Sequence, residues 1–197
     1  MKRPFEGLKV IDATHVLAGP YCAYQLALLG ADTIKIESPH ELDPVRGRGP
    51  VPALNAAGMG LNYLTQNSNK RALTLDLKTA AGKKIFRQLA RDADVVIENF
   101  RTGAFDELGL GYEQLRKINR RVIYCSMTAF GGNGPLATRN SYDPVIQCVA
   151  GIAHATGRNE NGVPMKSAAP MIDYGVGMNA AFAIASALYH RERTGEG

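Results

Sequence analysis

Residues 8–12 (LKVID), 19–30 (GPYCAYQLALLG) and 33–37 (TIKIE) decide the fold. The first is an apolar run of the length of a buried strand, the second an apolar helical segment closed by Gly30, and the third a strand with alternating apolar residues. Together they make a βαβ unit. The alternation continues downstream. ALTLD at 72–76 reads as strand, Thr79 to Ala93 as a helix with Leu, Ile and Phe at helical spacing, and DVVIEN at 94–99 as strand. Residues 103–118 suit two short helices, RVIYCSM at 121–127 a buried strand, FGGNGP at 130–135 a turn, 142–150 a helix stopped by Gly151, and 172–193 a long Ala-rich helix. The Pro- and Gly-rich stretch from Ser38 to Gly60 carries no periodicity and reads as a long loop. Strands alternating with helices predict an α/β fold, a Rossmann-like parallel sheet with helices on both faces.

The 197 residues are 45% hydrophobic and 21% charged, which excludes disorder and fibrous repeats and suits one domain or little more. Cys22, Cys125 and Cys148 form an odd set without CxxC spacing, so neither a disulfide framework nor a metal site is indicated, and a reducing cytoplasmic location is expected. The start MKRPFEGLKV has no apolar stretch behind its basic residues, and no 18-residue apolar run is evident, so no membrane partner is expected. The net charge of +5 is spread over scattered pairs such as Lys70-Arg71, Lys83-Lys84 and Arg120-Arg121. Nucleic-acid binders stack cations on one element with aromatics between them, so no nucleic-acid partner is expected; the phosphates of a small ligand need only two or three cations.

In a parallel sheet, ligands bind at the carboxyl ends of the strands. Here those ends are Ala13-Thr14-His15, Glu37-Ser38, Glu98-Asn99-Phe100 and Ser126–Phe130. The turn from Asp12 to Pro20 stands where a dinucleotide-binding domain places its phosphate loop, and Glu37 where such a domain places its ribose-binding acid, but G-x-G-x-x-G is absent and NAD is not indicated. His15 is either ligand-facing or bonded to a neighbouring turn. Asn69-Lys70-Arg71 and Lys78 are either phosphate ligands or solvated charges beside a strand. Phe100 can stack on a base and Arg101 can pair with a phosphate, unless both lie on a plain surface loop. Asp173, in APMIDYGVG, is either a helix N-cap or a covalent nucleophile to which Gly175 and Gly177 leave access. Asp143, followed by Pro144, reads as a helix N-cap, with Tyr142 beside it able to donate to a ligand oxygen.

These pieces in this order resemble the amino-terminal half of a class III CoA-transferase, the family of formyl-CoA transferase, with carnitine CoA-transferases and alpha-methylacyl-CoA racemase as relatives. The resemblance rests on Phe5 to Asp12, Ala18-Gly19-Pro20, Leu29 to Asp32 with Ile34 to Glu37, Asn69-Lys70-Arg71, Leu75 to Lys78, Asp94 to Phe100, Leu108 to Tyr112 and Arg191 to Gly195. It implies CoA transfer from an acyl-CoA thioester to a carboxylic acid through an aspartyl intermediate, with Asp173 as the catalytic nucleophile and CoA as a substrate, so that no separate cofactor is needed. CoA contacts carry over to His15, Leu17 and Ala18, to Leu75, Asp76, Leu77 and Lys78, to Asn99, Phe100 and Arg101, and to Asn140, Ser141, Tyr142 and Asp143. Ser38 replaces a basic residue of the family and Glu107 an arginine, which shifts the expected nucleotide contacts towards Arg46, Arg48 or Arg101. Tyr142 stands where the racemase branch has a histidine, so acyl-CoA racemisation is the alternative reading and a non-catalytic CoA- or nucleotide-binding piece the third. Leu17 replaces the glutamine of formyl-CoA transferase. The resemblance also implies that residues 1–197 are part of a large CoA-binding domain whose closing segment and companion small domain lie outside this chain, and that the complete enzyme is an interlocked homodimer.

Overall fold

In the computed structural model, which describes residues 2–197, Lys9–Ala13 (β1), Asp32–Glu37 (β2), Arg71–Thr74 (β3), Val95–Glu98 (β4) and Ile123–Ser126 (β5) form one sheet in the order β3-β2-β1-β4-β5. All four pairings are parallel. The helices are Ala18–Leu28 (α1), Pro52–Ala56 (α2), Leu61–Asn67 (α3), Ala80–Arg91 (α4), Ala104–Glu107 (α5), Tyr112–Ile118 (α6), Asp143–Val149 (α7), Ile152–Thr156 (α8) and Met171–Thr194 (α9). The Rossmann-like α/β expectation therefore holds. The strand order reverses at β1, which opens a crevice between the ends of β1 and β4.

Strand side chains alternate between faces, and each face finds helices. Ile11, Ile36 and Val96 pack with Phe86 and Ala90 of α4, Phe105 of α5 and Leu115 of α6. Val10, Val95, Ile97 and Ile123 pack with Cys22, Ala23 and Leu26 of α1 and with Ala181, Ile184 and Leu188 of α9. Helix α9 is long and apolar enough, by length and composition alone, to meet the criterion for a membrane span, which corrects the expectation that no such run exists. Its inner row is nevertheless packed on the sheet, and its buried Arg191 reaches Asp94 at 2.8 Å. Its other side exposes Val176, Met178, Phe182 and Tyr189. A Cβ at Gly177 would stand 2.7 Å from Ala18 O and 2.9 Å from Tyr21 Cδ1, so this glycine lets α9 cross α1 closely and does not serve access to Asp173; Gly175 does face open space.

The stretch 38–60 is more ordered than its composition suggests. Asp43 accepts a hydrogen bond from Val45 N and starts a 3-10 turn at Pro44–Gly47, and Pro52 opens α2. The buried polar groups explain this order. Lys70 Nζ donates to Asp12 Oδ2 at 2.7 Å, Pro20 O at 2.8 Å and Asn67 Oδ1 at 2.9 Å, which uses all three of its protons. Lys35 Nζ donates to Thr14 O and to Asp43 Oδ2, the latter at 3.1 Å. Both lysine side chains are 1% exposed. Lys70 is thus neither a phosphate ligand nor a solvated charge. Arg71 pairs at 2.6 Å with the exposed Asp32.

Burial alone would push the Asp12 carboxyl upward, but Lys70 and Lys35 outweigh it and hold the group below the usual carboxylate range. Lys70→Met leaves Asp12 buried without its partner and is expected to cost about 3–5 kcal/mol. Asp12→Asn combined with Lys70→Met is expected to recover part of that loss. Urea denaturation midpoints of the complete protein check both, and a Lys70→Met variant of unchanged stability contradicts the reading.

Candidate active site

The loop after β1 is held in an unusual shape. Val16 has φ 70°, a left-handed value that β-branched residues rarely adopt. Both Asp43 carboxylate oxygens accept from Val16 N, at 3.1 and 3.2 Å, while the same carboxylate pairs with Lys35. Asn99, just past β4, accepts from His15 N at 2.9 Å and donates to His15 O at 2.8 Å. This reciprocal pair locks the β1 loop to the β4 loop across the crevice. Glu37 serves the same framework: Arg46 Nε and Nη2 approach it at 2.9 and 2.6 Å, Asp43 N donates to it at 3.0 Å, and Arg46 lies over the Tyr63 ring. Neither Glu37 nor Arg46 is therefore free to take a ribose or a phosphate.

A cavity of about 600 Å³ fills the crevice. His15, Leu17 and Ala18 form one wall, Asn99, Phe100 and Arg101 another, and Asn140 to Asp143 with Asp173 close the far end. The structure thus gathers most of the residues expected from the sequence around one space. Leu75 to Lys78 line neither this cavity nor its neighbour: Leu75 belongs to the core, and Asp76 lies 3.5 Å from His40. His15 faces the cavity with its ring edge-on to Phe100, the centroids 5.2 Å apart. Burial, opposed by Asp43, lowers its pKa and keeps the imidazole neutral near pH 7. Arg101 lines the cavity but is bound through two nitrogens by Glu107. Arg139, on the same wall, has no carboxylate partner among the described residues. Sequence reasoning passed over it.

Asp173 is the third residue of α9, and its side chain accepts from no backbone N–H among the described residues. Asp143 does the capping from another helix. Its Oδ2 accepts from Ile172 N at 2.8 Å and from Asp173 N at 3.2 Å, and Gln147 Nε2 donates to its Oδ1. Gln147, fully buried, in turn accepts from Ser167 N at 2.7 Å. The N-cap reading of Asp143 thus corresponds to a cap, but on α9 instead of its own helix α7, which has no side-chain cap. Burial first and the Asp143 charge second push the Asp173 carboxyl up to about 6. No other side chain donates to it among the described residues. A second cavity of about 340 Å³ adjoins the first, and Val16, Tyr142, Asp143 and Asp173 line both.

Residues 5–197 match the profile of CoA-transferase family III. The chain is 42% identical over 199 residues to a succinate–glutarate CoA-transferase of Agrobacterium fabrum, covering 100% of this chain and 50% of the relative. It is 44% identical over 196 residues to an acetyl-CoA:oxalate CoA-transferase of Acetobacter aceti, covering 100% and 49%. Among solved structures, a CaiB/BaiF family protein from Brucella suis superposes with a TM-score of 0.91 at 41% identity, covering 100% of this chain and 52% of that one. The chain spans about half the length of the curated relatives it matches. With a profile match over nearly its whole length, and with the strand-end loops and Asp173 gathered around one crevice, the chain belongs to CoA-transferase family III.

Proposed function

We propose that the complete protein moves CoA between an acyl-CoA thioester and a carboxylic acid, with Asp173 as covalent nucleophile. The observation that carries this reading is a carboxylate without a hydrogen-bond donor to its oxygens among the described residues, standing where two cavities meet. The supporting context is a chain whose relatives are named CoA-transferases. With its pKa raised to about 6, Asp173 is still mostly ionised at pH 7 and is a stronger base than an ordinary carboxylate.

In the first step an Asp173 oxygen attacks the thioester carbonyl carbon and the C–S bond breaks, giving a mixed anhydride and CoA thiolate. The thiolate then attacks the aspartyl carbonyl of the anhydride, the donor acid leaves as its carboxylate, and an aspartyl-CoA thioester remains. The acceptor carboxylate attacks that thioester and expels the thiolate. Attack of the thiolate on the acceptor's carbonyl yields the new acyl-CoA and restores Asp173. No net proton or electron is exchanged, so neither metal nor redox cofactor enters the balance. CoA lies in the larger cavity, its pantetheine along Leu17 and Ala18 and its nucleotide end near Phe100, Arg101 and Arg139. The apolar row exposed on α9 supports a partner surface there, and we read the complete enzyme as a homodimer.

Asp173→Ala is expected to lower exchange by at least about 1000-fold, since covalent chemistry loses its nucleophile, while Asp173→Asn keeps CoA affinity nearly intact. Mass spectrometry of the wild type with acyl-CoA should show CoA on the peptide containing Asp173; full turnover by the alanine variant sinks the assignment. Because the folded pKa of Asp173 lies above its ordinary value, the ionised group opposes folding at neutral pH and the penalty fades as pH falls through about 6. Asp173→Asn is therefore expected to stabilise the fold at pH 7 by on the order of 1 kcal/mol, discounted for its partial exposure.

Exchange rate should rise with pH through about 6 as Asp173 ionises. Asp143→Asn removes the neighbouring negative charge and is expected to move that midpoint downward; a midpoint unmoved or raised contradicts the coupling. The racemase alternative requires solvent deuterium to enter the alpha position of a 2-methylacyl-CoA. No such exchange is expected, and rapid wash-in monitored by NMR reverses the order of the two readings.

A further inference from the structure

The larger cavity holds few free cations for a ligand rich in phosphate. Of the three arginines towards which the sequence shifts the nucleotide contacts, Arg46 is held by Glu37 and Arg48 lines the smaller cavity, so Arg101 is the one that reaches this space. Arg139 stands on the same wall, and Thr102 Oγ1, donating to Ala137 O at 2.6 Å, ties the loop of Arg101 to the loop of Arg139. The Arg139 guanidinium has neither a hydrogen-bond nor an ion-pair partner among the described residues. Arg101 differs. Its Nη1 donates to Glu107 Oε1 at 2.8 Å and its Nη2 donates to Glu107 Oε2, at the end of α5. Both side chains of this pair are more than half exposed.

Glu107 occupies the fork that a phosphate needs. A guanidinium binds a carboxylate or a phosphate through two parallel N–H groups, and the Nη1–Nη2 pair of Arg101 cannot serve both at once. The other edge of the guanidinium, Nε with Nη2, remains, but a phosphate placed there stands close to the Glu107 charge. An exposed pair of this kind is held weakly against water, so a phosphate can displace the carboxylate at a loss of affinity. The 3′-phosphorylated ADP of CoA bears about four negative charges. Arg101 and Arg139 bring one positive charge each, and Glu107 cancels one of them. The ring of Phe100 and the wall at Leu17 and Ala18 face the cavity independently of Glu107.

We infer that Glu107 is a specificity-determining residue: by engaging Arg101 it withholds that guanidinium from the phosphates of CoA and leaves Arg139 to hold them, so that the protein distinguishes a CoA thioester only weakly from the same thioester on pantetheine. The inference rests on the proposed CoA transfer and adds a second class of donor, acyl-pantetheine thioesters. Glu107 acts through Arg101 and touches no reacting atom.

The test compares an acyl-CoA with the same acyl-pantetheine as donors for the complete protein and its variants. Glu107→Gln is expected to lower KM for acyl-CoA and so raise the ratio of kcat/KM for acyl-CoA over acyl-pantetheine by roughly 3- to 10-fold, with kcat within about twofold. Arg139→Ala is expected to lower that ratio by roughly 5- to 20-fold. In an Arg101→Ala background the Glu107→Gln change should move the ratio by less than about twofold. An unchanged ratio at Glu107→Gln overturns the inference, as does a lowered one, which makes Glu107 the residue that aims Arg101 at the phosphates. An equal gain with and without Arg101 overturns it as well. If the wild type transfers the acyl group of neither donor, the proposed function falls. Calorimetric titration of CoA and of pantetheine then decides the inference separately: tighter CoA binding by the Glu107→Gln protein with pantetheine affinity unmoved supports it, and CoA binding that is absent, or equal in the two proteins, overturns it.

Discussion

Two ammonium groups sealed from water behind the end of β1 set the shape of everything above them. An ammonium moved into a protein interior loses solvation worth several kcal/mol unless carboxylates and carbonyls replace the water. Lys70 and Lys35 recruit those replacements from separate parts of the chain: Asp12 on β1, Pro20 on α1, Asn67 on α3, Thr14 past β1 and Asp43 beyond β2. Satisfying two lysines therefore fixes the mutual positions of two strand ends, two helices and a loop. The strained Val16 depends directly on this arrangement, because the carboxylate that accepts from its N–H is the one neutralised by Lys35. The cavity wall at His15 to Ala18 is the visible end of that chain.

The sheet was legible because its strands obey a simple rule. Val10 and Ile11, or Val95 and Val96, are adjacent apolar residues that face opposite helices, which is what a parallel strand covered on both sides requires. The rule misled at Asp12 and Lys35. These register partners on neighbouring strands are fully buried, and only the positions of Lys70 and Asp43 make that tolerable. The short helices α2, α3 and α8 were missed for another reason. One or two turns are too few to show a period, and the prolines that suggested a loop at 44 and 52 turned out to stand in the first turns of helical segments.

The candidate site was legible to a different depth. Strand-end reasoning alone pointed to His15 and to Asn99 through Arg101, which do meet at the crevice. Asp173 could not be told from a helix cap by its position. The structure removes the helix-cap reading alone, because Asp143 performs the capping.

The division of roles between Asp143 and Asp173 has a physical logic. A carboxylate in the first turn of a long helix would ordinarily accept from backbone N–H groups, gain from the helix dipole and become a weaker base. Asp143 supplies that cap from α7, so the N–H groups of Ile172 and Asp173 are satisfied without the side chain of Asp173. The same substitution places a second negative charge beside the first, and charge and burial together raise the Asp173 pKa against the pull of the helix terminus. Gln147 then has a reason to be fully buried. It neutralises no charge, but it holds Asp143 in the rotamer that caps α9 and ties that rotamer to the backbone at Ser167. A carboxylate of raised pKa at a helix start is thus obtained by giving its structural duty to a neighbour, and the cost of that choice appears as an ionised group that the fold itself does not stabilise.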